Sequence, residues 1–162
     1  MTKIERSITI DRPLEEVFAF THDPAKDALW QTTLVESEPL AEGPMKTGTK
    51  VRETRRFLGK RVEITREITE YEPPTGSSFE TVSGPVPMSG EYKLEPIDGS
   101  TKVTAIGELD AHGFFKLAEP VFARMAAREL ESSLAHLKDL LETVDPASAL
   151  DDERVLRDAP RP

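Results

Sequence analysis

The residues able to do chemistry in this chain are few, and the most informative is Arg66. It stands in a run, Arg61 to Tyr71, in which, up to Thr69, the other even positions are Val62, Ile64 and Ile68 and the odd positions, Arg61, Glu63, Thr65, Glu67 and Thr69, are all polar. A β-strand therefore puts Arg66 on the apolar face. Pairing across a turn at Gly59 brings Val51, Glu53, Arg55 and Phe57 to the same surface. A guanidinium among apolar groups is costly unless it is paired, which makes Glu53 its natural partner. Its forked geometry suits a carboxylate or a polarised carbonyl on a bound ligand. An internal ion pair without a ligand, or an arginine at the sheet rim, gives the same pattern, and these readings stay open. Tyr92 alternates with Met88, Gly90 and Leu94, so its ring faces inward and its hydroxyl needs a partner there.

Other chemistries lack their residues. His22, His112 and His136 are far apart, none has a second histidine at helical spacing, and there is no cysteine, so no metal site is expected. Each histidine reads as a surface residue. Ser83 and Ser132-Ser133 lack the strand-to-helix context of a nucleophilic serine, and no phosphate-binding loop or dinucleotide fingerprint occurs. No cofactor is expected. Any catalysis would be acid/base or orientation chemistry by groups such as Tyr92, Arg66 and Glu53.

Composition narrows the partners. With 162 residues, 37% hydrophobic and 31% charged, the chain is expected to fold as one domain with one core. A net charge of −9 argues against nucleic acid and against an anionic membrane surface, both of which take clustered Lys and Arg. No run is long and apolar enough to span a membrane, the N-terminus lacks a signal-peptide profile, and the lack of cysteine fits a cytoplasmic location.

The elements that must position these side chains follow from period and punctuation. Ile4 to Ile10 alternates as a strand. Asp11 is expected to cap a short helix over Leu14 to Thr21, with Pro13 in its first turn, and Ala25 to Trp30 makes a second. Strands are then expected at Thr32 to Leu40, Thr49 to Leu58, Arg61 to Tyr71, Ser77 to Ser83, Met88 to Glu95 and Thr101 to Ala111, separated by glycine and proline turns, of which Asp98-Gly99 is the strongest hairpin signal. From Gly113 to Val144 the pattern is helical, with a stripe of Leu130, Leu134, Leu137, Leu141 and Val144 and, before it, an apolar arc too wide for one flat contact. Pro120 is expected to separate residues 113–119 from the main helix or kink it. Residues 146–162 are polar and acidic and read as a disordered tail after a domain covering residues 1–145.

This order resembles the polyketide cyclase/dehydrase and lipid-transport superfamily, the START-like or SRPBCC group. The motifs that carry the likeness are Asp23-Pro24 and Trp30, Glu42-Gly43-Pro44, Gly48-Thr49, Arg55-Arg56 before Gly59, Tyr71-Glu72-Pro73-Pro74, Gly84-Pro85, Gly99-Ser100-Thr101-Lys102-Val103 and Leu137-Lys138-x-Leu140-Leu141-Glu142. The resemblance runs from Lys3 to Val144 and rests on the order of these motifs, since each alone is only turn chemistry. It implies an α+β helix-grip fold, a seven-stranded curved antiparallel sheet around a long C-terminal helix, with two short helices after strand one. It also implies a cavity for hydrophobic small molecules between sheet and helix.

The expected lining is Phe114, Leu117, Val121 and Met125 from the helix, Trp30 from the short helices, and Val51, Val62, Ile64, Arg66, Phe79, Met88, Tyr92, Val103 and Ala105 from the sheet. Gly90, Ala105 and Gly107 leave volume among them. The superfamily contains carriers, cyclases and protein-binding members, so fold alone does not choose. Three functions are carried forward: a binding protein for an apolar or aromatic metabolite, a cofactor-free cyclase or dehydratase, and an interaction module whose groove takes another protein's apolar segment.

Overall fold

A computed structural model describes residues 2–110 and 113–143, without the side chains of residues 113–115. The elements are β1 (Thr2–Ile10), α1 (Leu14–Thr21), α2 (Pro24–Trp30), β2 (Leu34–Pro39), β3 (Lys50–Phe57), β4 (Lys60–Glu72), β5 (Gly76–Ser83), β6 (Met88–Ile97), β7 (Ser100–Leu109), a 3-10 turn (Gly113–Ala118) and α3 (Glu119–Thr143). All seven strands form one antiparallel sheet in the order β1-β7-β6-β5-β4-β3-β2. β2 to β7 are a meander, and β1 returns to pair with β7. Since β1 and β2 lie at opposite edges, α1 and α2 must carry the chain from one edge to the other.

Local chemistry fixes the ends of these elements. Asp23 caps α2, its carboxylate accepting from the Ala25 amide at 3.0 Å, and Pro24 occupies the first turn. The cap expected from Asp11 on α1 does not form: the N-cap is Pro13, with no side-chain bond. Asp11 instead ties β1 to its neighbours, accepting from the Ser100 hydroxyl at 3.1 Å while its amide donates to Glu142 at 2.9 Å. The β3–β4 turn is Leu58-Gly59, one residue earlier than the sequence suggests. Both residues have positive φ, 50° and 76°, as does the Asp98-Gly99 pair at 49° and 82°, the arrangement that matches the twist of a two-residue hairpin.

The core lies where α3 and the short helices meet the concave face. Ile10, Val17, Phe18, Trp30, Leu94, Val103, Ala105, Leu134 and Leu137 form one buried cluster, with Leu130 and Leu141 packed against it. The expected leucine stripe is therefore the contact that seats α3. The break near Pro120 is also present, as a 3-10 turn that gives way to α3 at Glu119. Farther up the helix, Phe122 meets Phe57 of β3 with ring centroids 5.5 Å apart, and the Thr2 hydroxyl bonds Glu119. The expected tail and Val144 lie outside the described residues.

Candidate functional site

The alternation of β3 and β4 places Arg66 inward, opposite Val51 and beside Glu53. Arg66 Nε donates to Glu53 Oε1 at 2.5 Å, and its Nη2 lies 3.6 Å from Asp27 Oδ2. Its guanidinium also sits 5.4 Å from the Phe79 ring centroid, a cation–π contact on the cleft side. The partner expected from strand spacing is the one observed. β4 carries register shifts against β5 at Thr65/Arg66 and Ile68/Glu70, yet Arg66 stays on the inner face.

A second arginine completes the cluster. Arg55 Nε donates to Glu53 Oε2 at 2.8 Å, Nη1 reaches Thr33 Oγ1 and Glu129 Oε1 at 3.2 Å each, and Nη2 reaches Gln31 Oε1 at 2.6 Å and Glu53 Oε2 at 2.8 Å. Four of its five N–H groups thus donate hydrogen bonds within the protein, and the ion pair with Glu53 adds to them. Glu53 is thus bound by two guanidiniums. Burial alone would raise its pKa, but the charges and hydrogen bonds of Arg66 and Arg55 outweigh that and hold it below the usual value. Asp27 goes the other way: burial pushes it up to about 7, against the pull of Arg66 and Arg55 and with the help of Glu53 and Asp23. Its Oδ1 and the Trp30 Nε1, three residues along α2, are both buried without a hydrogen-bond partner among the described residues.

An aromatic layer adjoins the ions. The Tyr92 ring meets Trp30 edge-on at 6.3 Å and His22 at 6.0 Å, and burial raises the Tyr92 hydroxyl to about 12. His22 is not the surface residue that its turn position suggests. It stacks on Phe18 at 3.9 Å, one helical turn back, its Nε2 shares a hydrogen bond with Ser77 Oγ at 2.8 Å, and burial lowers it to about 4. His136 is exposed, and His112 lies outside the described residues.

Beyond the cluster the concave face carries two facing glycines, Gly90 and Gly107. Register runs Ile4, Gly107, Gly90, Phe79 and Ile68 across five strands. A Cβ on Gly90 would stand 2.5 Å from the Phe79 ring, whereas one on Gly107 would meet nothing within 4 Å among the described residues. Val62, Ile64, Phe79 and Met88 are half-buried around that row. Arg66, Tyr92, Phe79, Met88, Val62 and Ile64 therefore share the inner face, with Arg66 and Phe79 in contact. Trp30, Val51, Val103 and Ala105 are fully covered, and three of them, Trp30, Val103 and Ala105, belong to the packed core cluster. Leu117 and Val121 are 90% and 60% exposed and are not brought to the group; Val121 and the half-buried Met125 border an open groove of about 260 Å³ with Arg124 and Arg128 on α3. The Phe114 side chain lies outside the described residues. A separate polar hollow of about 180 Å³ carries Glu70, Glu72, Glu91 and Lys93. Arg55 was expected on this face, whereas Asp27, Glu129 and His22 were not expected at the site. A signal existed for Asp27, which shares a helix face with Trp30 at i, i+3. Among the described residues, no three His, Cys, Asp or Glu side chains are grouped to hold a metal ion, and no helix is long and apolar enough to cross a membrane.

Known proteins match this architecture. The family described as polyketide cyclase / dehydrase and lipid transport matches residues 1–142. Among solved structures, TTHA0849 from Thermus thermophilus superposes with a TM-score of 0.76 at 18% identity, covering 88% of this chain and 98% of that one. A START superfamily protein from Mycobacterium smegmatis gives 0.74 at 12% identity, covering 88% and 99%. The di-domain ARO/CYC BexL of the BE-7585A biosynthetic pathway gives 0.72 at 25% identity, with 88% of this chain on 47% of that one. No curated protein matches the sequence.

Proposed function

The chain belongs to the polyketide cyclase/dehydrase and lipid transport family, and from that premise we propose that it binds a hydrophobic or aromatic small molecule between the concave sheet and α3. The observation that carries this reading is the paired Gly90 and Gly107: side chains are missing at the middle of the concave face, and no described residue comes within 4 Å of a Cβ built on Gly107. A core packed for stability alone would close such a gap. Val62, Ile64, Phe79 and Met88 supply an apolar wall, Arg66 and Tyr92 a polar end, and the 3-10 turn and start of α3, with Leu117, Val121 and Met125, the side of entry. The reading includes a cytoplasmic location.

The experiment is native mass spectrometry on protein purified gently from its own cells, with the released small molecules identified. A stoichiometric apolar adduct, reduced by Gly107→Leu, is the expected result. A bare mass, with no stabilisation by a panel of fatty acids, aromatics and polyketides, overturns the reading and moves weight to a protein-binding groove.

One observation favours a second reading, a cofactor-free cyclase or dehydratase. Asp27, with a pKa of about 7, lies 3.6 Å from Arg66, so a proton donor stands beside a cation able to polarise a carbonyl. Turnover of a poly-β-ketone thioester mimic into a ring product, lost in Asp27→Asn with binding retained, would establish it. A wild-type protein that binds the mimic and returns it unchanged removes it.

A further inference from the structure

We propose that the site selects an uncharged, carbonyl-bearing ligand and rejects the matching carboxylate. The inference rests on the binding reading above and deepens it by naming the ligand's charge. It comes from counting the ions. Arg55 and Arg66 bring two positive charges, and Glu53 and Glu129, paired to them at 2.5 to 3.2 Å, bring two negative ones. Asp27 adds a third carboxyl, 3.6 Å from Arg66. The cluster is therefore neutral when Asp27 is protonated and carries −1 when it is not. In neither state is a positive charge left over for an anion.

The hydrogen-bond inventory says what is left over. Arg55 already donates four hydrogen bonds, to Glu53, Thr33, Glu129 and Gln31. Arg66 donates from Nε to Glu53 and faces Asp27 with Nη2 at a distance too long for a hydrogen bond; its Nη1 has no acceptor among the described residues. With its side chain 14% exposed and Phe79 against the guanidinium, Arg66 keeps donors but no net charge to offer. A carbonyl oxygen satisfies such donors without adding charge. A carboxylate would satisfy them too, but would bring an uncompensated negative charge next to Glu53 and Asp27, in a region where burial strengthens the repulsion.

Two probes of one shape test this: 2-acetonaphthone and 2-naphthoate, which share a ring system and a carbonyl and differ in charge. Binding is followed at neutral pH by calorimetry and by the emission of Trp30, the chain's single tryptophan. The ketone is expected to bind at least about tenfold more tightly. Glu53→Gln and, in case that variant does not fold, the less buried Glu129→Gln each raise the cluster's charge by one, and each is expected to shift the ratio toward naphthoate by about tenfold. Tighter binding of naphthoate by the wild type overturns the selectivity and leaves the binding reading standing, as does a ratio unmoved by either folded variant. Failure of both probes, together with the bare mass described above, overturns the binding reading and the selectivity with it.

Discussion

Glu53 and Arg66 are diagonal neighbours across the β3–β4 ladder: Val51 stands opposite Arg66 and Glu53 opposite Ile64, yet Arg66 Nε reaches Glu53 Oε1 at 2.5 Å. Diagonal neighbours on one face lie within reach of long side chains. Because Glu53 also holds Arg55, its removal leaves Arg55 with Glu129 and Arg66 with Asp27 as their only carboxyl partners among the described residues.

Glu53→Gln is therefore expected to cost about 3–5 kcal/mol in urea-induced unfolding, the range for breaking a buried ion pair from one side. A double-mutant cycle with Arg66→Met should return a coupling of about 1 kcal/mol or more. Additive effects would mean that the two residues act independently, against the geometry.

The acid response separates Asp27 from His22. Folded Asp27, raised from 3.8 to about 7, keeps a proton that the unfolded chain has released, so its term lowers stability as pH rises through that window. Folded His22, lowered from 6.5 to about 4, stays neutral where the unfolded chain is protonated, so its term raises stability with pH over that range. The two nearly cancel between pH 4 and 6.5. Asp27→Asn should leave stability climbing with pH, and His22→Gln should leave it falling, each by on the order of 2–3 kcal/mol. Glu53, held low, adds a loss only at more acid pH. Denaturant titrations across the window decide, and slopes of the same sign in both variants would contradict the assignment.

The two glycines of the concave row should respond differently. Gly107→Leu places a side chain in open space and is expected to fold at close to wild-type stability while losing most binding of an apolar guest. Gly90→Ala puts a methyl 2.5 Å from the Phe79 ring and is expected to cost about 1–3 kcal/mol unless the ring swings away. Thermal unfolding with and without 2-acetonaphthone reads both.

Along the C-terminal helical stretch the cost of truncation should follow burial. Leu137→Ala, at a site with no exposure, is expected to cost about 2–5 kcal/mol. Leu117→Ala, at a site 90% exposed, should stay within about 0.5 kcal/mol of wild type. Chemical denaturation distinguishes them.

What the sequence made legible was whatever depends on period and punctuation. The strand order, the inward Arg66 and its Glu53 partner follow from period two and one tight turn. The helix-grip arrangement followed from the order of the turns, and the leucine stripe of α3 from its spacing. Asp27 and His22 were not legible as site residues, because their partners are far away in sequence: Arg66 for Asp27 and, 55 positions on, Ser77 for His22. Val121 was read as lining, although at ~100° per residue it stands about half a turn round from Leu130. Leu117 belongs to a 3-10 segment with three residues per turn, so its phase cannot be carried over from α3.

The uneven seating of α3 has a mechanical side. Leu134 and Leu137 fix one end of a stiff rod in the core, while the other end rests on the Phe57–Phe122 contact and the Thr2–Glu119 bond. Glu119 lies ~22 Å along the axis from Leu134, so a tilt of ~5° about the buried end carries it ~2 Å. α3 is thus clamped firmly at its leucine end and lightly at its start. On the proposed binding reading, flexing the lighter end would admit a guest with every helical hydrogen bond kept.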